Sequence, residues 1–303
     1  MEFDEDQNRE REESDHTGEL REAHDNGDDE ENEEKRRDSL EQFDFQLDEL
    51  IRKQVDVQRR RKVDETKKRA AIDSVFDERT YFQLQRILQK GILDSIEGII
   101  SAGKEANIYL GYDQEGREVA IKIYKIDSNT SKWMRNYIIG DPRFKKIPKN
   151  VAKIIHLWAS KEFKNLKRAF KAHLRVPEPY YVQNNVLIME YIGFGPIPAP
   201  KLKDIKQPIN LEQLATECLN FIKKLYQKAD LVHGDLSEFN ILYHNQKPVF
   251  IDISQAMSTH HPKAEKFLVR DIKNMYYYFE KFNVSLPDPS EFYYDIIQTH
   301  SAR

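Results

Sequence analysis

The sequence predicts an α+β fold in two lobes. Three features predict it: five short apolar strand runs with a single helix among them, a Gly/Pro-rich break at 193–200, and long amphipathic helices around one further hairpin after that break. These breaks divide the chain into a disordered acidic tail (1–40), a helical extension (41–92), a first lobe (93–192) and a second lobe (193–303).

Composition bounds what such a chain can be. Its 303 residues give room for one or two domains. The net charge of −4 conceals an asymmetry, since residues 1–40 hold 18 acidic and 6 basic side chains. A segment so charged and so poor in apolar residues cannot bury enough surface to offset chain entropy, and reads as disordered. The single cysteine, Cys218, excludes an internal disulfide and fits a reducing compartment. No apolar run approaches the roughly 18 residues of a membrane span, and the start lacks a signal peptide's apolar region. A soluble, cytoplasmic chain with no membrane partner is expected.

In the extension, Leu40, Phe43, Leu47, Leu50 and Ile51 recur at helical spacing ahead of the basic run 59–62. A helix over 77–90 follows from Tyr81, Leu84, Ile87 and Leu88, with Gly91 as a left-handed cap. Strands are expected over 95–101, 107–112 and 117–124. The first turn, A-G-K-E-A, is small enough for its backbone to lie over a phosphate, and in V-A-I-K the alternation turns Lys122 away from Ile121 and Ile123. Residues 125–152 lack clean periodicity and read as a mobile loop.

The span 117–175 holds 16 basic and 4 acidic residues, a charge of +12 that suits RNA phosphates. Trp133, Tyr137 and Phe144 within it could stack on bases or anchor a core. A helix over 153–172 buries Ile155, Trp158, Ala159, Phe163, Leu166 and Phe170. Its only acid, Glu162, has no cation three or four residues away, which favours a tertiary partner, and Lys122 is the candidate. Strands over 180–183 and 186–192 turn at Asn184-Asn185. The latter leads into the break, where Met189 to Ile192 can offer backbone groups to a planar base.

In the second lobe Asn210 caps a helix reaching Ala229, with Gln213 in capping-box position and Cys218 on the buried stripe. His260-His261-Pro262 reads as a turn. The helix over 263–282 carries Asp271 on its apolar stripe; a buried carboxylate needs donors, and the turn at 233–235 can supply them. A short helix over 291–298 ends the chain.

Most of the chemistry lies in L-V-H-G-D-L-S-E-F-N-I-L-Y-H-N-Q-K-P-V-F-I-D, residues 231–252. Asp235 and Asn240 have the spacing H-x-D-x-x-x-x-N of a phosphoryl-transfer loop, and a hairpin turning at 244–247 returns Asp252 beside them. Two carboxylates and an amide around one point suit a hard, oxygen-seeking cation.

With Lys122, Glu162, the break, the loop and Asp252 in this order, the chain resembles the protein-kinase superfamily. It departs in lacking G-x-G-x-x-G, in having Gly234 where an Arg is usual, in carrying I-D-I-S-Q for D-F-G, and in having only 51 residues after Asp252. These departures resemble the RIO atypical kinases. S-A-G-K-E-A, L-V-H-G-D-L-S-E-F-N and I-D-I-S-Q are similar to the first RIO subfamily, and the short chain is similar to archaeal members.

The resemblance implies a two-lobed kinase fold with a truncated second lobe, and a serine/threonine kinase or ATPase using ATP with Mg2+ or Mn2+. Lys122 would contact ATP phosphates and pair with Glu162, Ser101 and Lys104 would lie in the phosphate loop, and Glu190 and Ile192 would bind adenine through their backbone. Asp235 would serve the acceptor, and Asn240 and Asp252 would hold the metal. Autophosphorylation (candidates Ser128, Thr130 and Ser131), a phosphoaspartate on Asp252, and a part in maturing the small ribosomal subunit and binding its RNA are further implications. Two other classes share features. An aminoglycoside-type phosphotransferase has the same H-G-D loop but would need an acidic pocket region after Asp252, and an RNA-binding module without catalysis would leave unexplained why every catalytic position is filled.

Overall fold

A computed structural model describes residues 77–205 and 209–301. The acidic tail and most of the helical extension lie outside the described residues. The first helix, α1 (Glu78–Gln89), is capped by Asp77, whose side chain accepts from Thr80 N, and Gly91 follows it at φ 65°.

Strands β1 (Ser95–Ala102), β2 (Ala106–Tyr112), β3 (Glu118–Tyr124), β4 (Pro179–Gln183) and β5 (Val186–Glu190) form one antiparallel sheet in the order β1-β2-β3-β5-β4. Alternation along the strands gives the sheet two apolar faces. Val119, Ile121, Ile123, Val186 and Ile188 pack on one side against Leu84, Ile87 and Leu88 of α1. Ala120, Leu187 and Met189 point the other way, into a core shared with the helices that follow.

Between β3 and β4 lie two helices, α2 (Ser128–Ile138) and α3 (Val151–Lys171). The expectation of a mobile loop over 125–152 is corrected here. Asp127 caps α2 by accepting from Thr130 N at 2.7 Å, and Met134 and Ile138 are buried. Trp133, Tyr137 and Phe144 pack in one cluster around the fully buried Trp158 of α3, so they are core anchors and not base-stacking platforms. Phe170, expected in the buried stripe of α3, is 40% exposed.

The break at 193–200 holds a small hairpin of β6 (Gly193–Phe194) and β7 (Ile197–Pro198). Beyond it, α4 (Leu211–Ala229), α5 (Ala264–Glu280) and α6 (Pro289–Ser301) surround two strand pairs: β8 (Leu231–Val232) with β11 (Met257–Ser258), and β9 (Ile241–His244) with β10 (Lys247–Phe250). Asn210 caps α4 by accepting from Gln213 N, while the Gln213 side chain donates to Glu217 and does not close the capping box. Cys218 is buried in the α4 stripe. His261 meets Ile139 O at 2.9 Å in a turn, as its sequence suggested. Among the described residues no helix is long and apolar enough to cross a membrane.

Candidate active site

Strand β3 delivers Lys122 to the face opposite Ile121 and Ile123. There its Nζ donates to Glu162 Oε1 at 2.9 Å and to Asp252 Oδ1 at 2.9 Å. The lysine is 6% exposed. Burial opposes its charge, but Asp252 and Glu162 together outweigh that and hold the ammonium firmly protonated. Glu162, brought by α3, also accepts from the Tyr124 hydroxyl; burial raises its pKa to about 7 against the opposing pull of Lys122. Among the described residues, then, the expected tertiary pair forms.

The 233–240 loop is built on α5. Asp271, almost wholly buried, accepts from Gly234 N at 2.8 Å and from Leu236 N at 3.0 Å, the brace expected from its place on an apolar stripe. Gly234 sits at φ 79°, a conformation that favours glycine. Asn274, one turn on from Asp271, donates to Leu236 O at 2.9 Å. Within the loop Asn240 Nδ2 donates to the Asp235 carbonyl at 2.9 Å, which leaves Oδ1 as the acceptor Asn240 can offer a cation.

The Asp235 carboxylate accepts from Gln255 Nε2 at 2.8 Å and lies 3.5 Å from Arg270 Nη2. Burial raises its pKa against the pull of Arg270. Asp252 ends the hairpin at φ 57°, uncommon for a non-glycine residue, with its side chain 44% exposed to the cleft and Ser254 Oγ donating to Oδ1 at 2.9 Å. Burial would raise this carboxyl, yet Lys122 and Ser254 bring it below its ordinary value. His233 is buried behind the loop, and burial lowers its pKa to about 4, so it is neutral near pH 7 and its Nδ1 accepts from Asp235 N at 3.3 Å.

Ser101 is the last residue but one of β1 and Lys104 lies in the β1–β2 turn, both exposed. Gly103 is fixed there because a Cβ would come within 2.9 Å of Ala106 O. Glu190 N is committed to Glu178 O and Ile192 O to Ala199 N, so a base at the break would meet the Glu190 carbonyl and the Ile192 amide. Ser128 and Thr130 lie in the first turn of α2, while Ser131 is 2% exposed with its hydroxyl on Ser128 O, which counts against it as an autophosphorylation site.

Sequence reasoning missed several residues here. Glu105 feels burial first and then the charges of Asp252, Lys122 and Asp235, so it shares their space. Lys125 secures the turn through Gly103 O at 2.7 Å. Gln255 and Arg270 hold Asp235. The position of Gln255 in I-D-I-S-Q and that of Arg270 beside Asp271 were the available signals.

A five-stranded antiparallel sheet over a helical layer, with a lysine–glutamate pair facing an aspartate loop, defines a protein-kinase-like phosphotransferase. The chain matches the family model described as "RIO domain" over residues 107–292. It is 40% identical to the RIO-type serine/threonine-protein kinase Rio1 of Haloferax volcanii over 208 residues, covering 69% of this chain and 71% of that protein. It is 40% identical to the Rio1 of Methanocaldococcus jannaschii over 245 residues, 80% and 82% of the two chains. The crystal structure of the Rio2 kinase-ADP/Mg2+-phosphoaspartate complex from Chaetomium thermophilum superposes with a TM-score of 0.58 at 24% identity, over 74% of this chain and 67% of that one. The chain belongs to the RIO family of atypical protein kinases, on its Rio1 branch.

Proposed function

We propose that this chain binds Mg-ATP in the cleft, transfers the γ-phosphoryl group, and serves as a kinase or ATPase on the small ribosomal subunit in the cytoplasm. The observation that carries this reading is the Lys122 ammonium held 2.9 Å from both Glu162 and Asp252, facing the Asp235–Asn240 loop. Lys122 binds phosphate oxygens while Glu162 fixes its direction, and the Glu190 carbonyl and Ile192 amide receive adenine. Ser101, Lys104 and the Gly103 turn lie over the phosphates.

The donor set fits Mg2+: Asn240 Oδ1 and Asp252 offer hard oxygen donors and would hold the ion beside the nucleotide's phosphates. Among the described residues no group of three or more His, Cys, Asp or Glu could hold a metal alone, which suits an ion that arrives with its nucleotide. When bound it neutralises phosphate charge. Asp235, held by Arg270 and Gln255, accepts the proton of an attacking hydroxyl or orients water.

Asp252 can itself act as acceptor: a carboxylate oxygen attacks the γ-phosphorus, the bond to the bridging oxygen breaks, ADP leaves, and water later hydrolyses the acyl phosphate. The Chaetomium Rio2 complex, which contains ADP, Mg2+ and a phosphoaspartate, supports that route. The basic span 117–175 supports an RNA partner, although Lys122, Arg143 and Lys161 are used internally.

Phosphate release by wild type, Asp235→Ala and Asp252→Asn, with and without small ribosomal subunits, tests the proposal. Asp235→Ala is expected to cost about 10²–10⁴-fold. Asp252→Asn is expected to abolish both turnover and an acid-labile phosphoenzyme. Turnover unchanged in both variants would overturn the catalytic assignment and make the RNA-binding module the leading account.

A further inference from the structure

Helix α3 serves the cleft twice from one face. Glu162 meets Lys122, while Lys161 and Asn165, one residue before it and three after, reach the loop that follows Asp252. Lys161 Nζ donates to Ser254 O at 2.7 Å and to Ala256 O at 2.6 Å. Asn165 Nδ2 donates to Ile253 O and to Ala256 O, each at 2.8 Å. Arg143 Nη1 donates to Asn165 Oδ1 at 2.7 Å, fixing which way that amide points, and Asp141 holds Arg143 through bonds of 2.8 and 2.6 Å. Lys161 and Asn165 are both 0% exposed, and Lys161 Nζ stands 4.9 Å from the centre of the Trp158 ring.

A lysine amine and an amide are costly to bury, burial draws the Lys161 pKa well down, and apolar residues of similar volume would escape that cost. What offsets it here is a set of main-chain carbonyls in an irregular loop that has no strand partner to satisfy them. The same loop begins with Asp252 at φ 57°, a conformation its surroundings must hold in place. In protein kinases the glutamate-bearing helix and the metal-aspartate loop must both be in position, and each can be displaced. Here one helix grips both.

We propose that Lys161 and Asn165, oriented by the Arg143–Asp141 pair, are positioning residues for Asp252: they lock its loop to α3, so that the Lys122–Glu162 pair and the Asp252 carboxylate form as one unit. The proposal rests on the reading of Asp252 as a metal-holding residue. Asn165→Leu and Lys161→Met remove the donors at similar volume. Arg143→Gln loosens the same loop from a half-buried site, and it carries the test if a core variant fails to fold.

Two measurements on the full chain decide it: hydrogen exchange across 252–257, and the Mg2+ dependence of ATP turnover. Exchange is expected to quicken in that segment alone. The half-saturating Mg2+ concentration is expected to rise about tenfold or more, as when groups that orient metal ligands are removed, with the KM for ATP at saturating Mg2+ unchanged. Folded variants with wild-type exchange and Mg2+ dependence would overturn the proposal. So would exchange that rises evenly through α4 and α5, the mark of a merely structural role. Asp252→Asn, which is expected to lack turnover, is compared with wild type and the clamp variants by the Mg2+ dependence of ATP binding, and this separates the two readings. If it keeps wild-type Mg2+ dependence, the metal role of Asp252 fails and the clamp with it; if it loses that dependence while the clamp variants do not, the clamp alone fails.

Discussion

At Asp235 a few neighbours decide whether the carboxylate can do its work. Burial raises its pKa, Asp252 adds to the rise, and Arg270 and Gln255 oppose it. Arg270 is therefore an electrostatic control on the acceptor side of the cleft, from 3.5 Å away. Removing a positive neighbour disfavours the ionised form, so Arg270→Gln raises the Asp235 pKa further. The acid limb of the kcat/KM profile is then expected to move to higher pH, because activity is lost where Asp235 gains its proton. Both side chains are partly open to solvent, so the displacement should shrink as salt is added. A limb that stays at its wild-type pH would show that some other group sets it.

At the scale of elements, what could be read from the sequence depended on whether the cause was local. Strand alternation settled the direction of Lys122, and a single acid on a basic helix pointed from Glu162 to Lys122. Asp271 was legible because a carboxylate on an apolar stripe has to find donors. Helix α2 was missed although Asp127 stands three residues ahead of Thr130 as a cap, because S-N-T-S looks like loop and the apolar partners of Met134 and Ile138 come from α3. Nothing local marks Lys161 and Asn165, since the carbonyls that accept from them lie about 90 residues further along the chain. The α5 brace gives a direct test. Asp271→Ala leaves Gly234 N and Leu236 N buried without acceptors, at about 1–3 kcal/mol each. Urea unfolding should report that loss, and turnover should fall further than stability alone accounts for, because the same amides shape the 233–240 loop. Wild-type stability would mean that the loop holds itself.

Across the whole molecule, the +12 charge of residues 117–175 is not all available to a partner. Lys122, Arg143 and Lys161 point inward, while Arg117, Arg168 and Arg175 pair with Asp113, Asp230 and Glu190. What stays exposed is concentrated between α2 and α3 (Lys145, Lys146, Lys149) and along α3 (Lys153, Lys164, Lys167, Lys171). Glu162, Lys161 and Asn165 face inward from the same helix, so a phosphate-rich partner on its outer side would press on the element that organises the cleft. If that surface binds RNA, affinity must fall with salt, and single-stranded RNA loses about 0.7 in slope for each phosphate contact removed. Lys145, Lys146 and Lys149 changed together to Gln should therefore lower the slope of log affinity against log salt by about 2, while ATP turnover without RNA stays at its wild-type rate. An unchanged slope would move the RNA surface away from the α2–α3 connection, and a fall in basal turnover would show that these lysines serve the cleft instead.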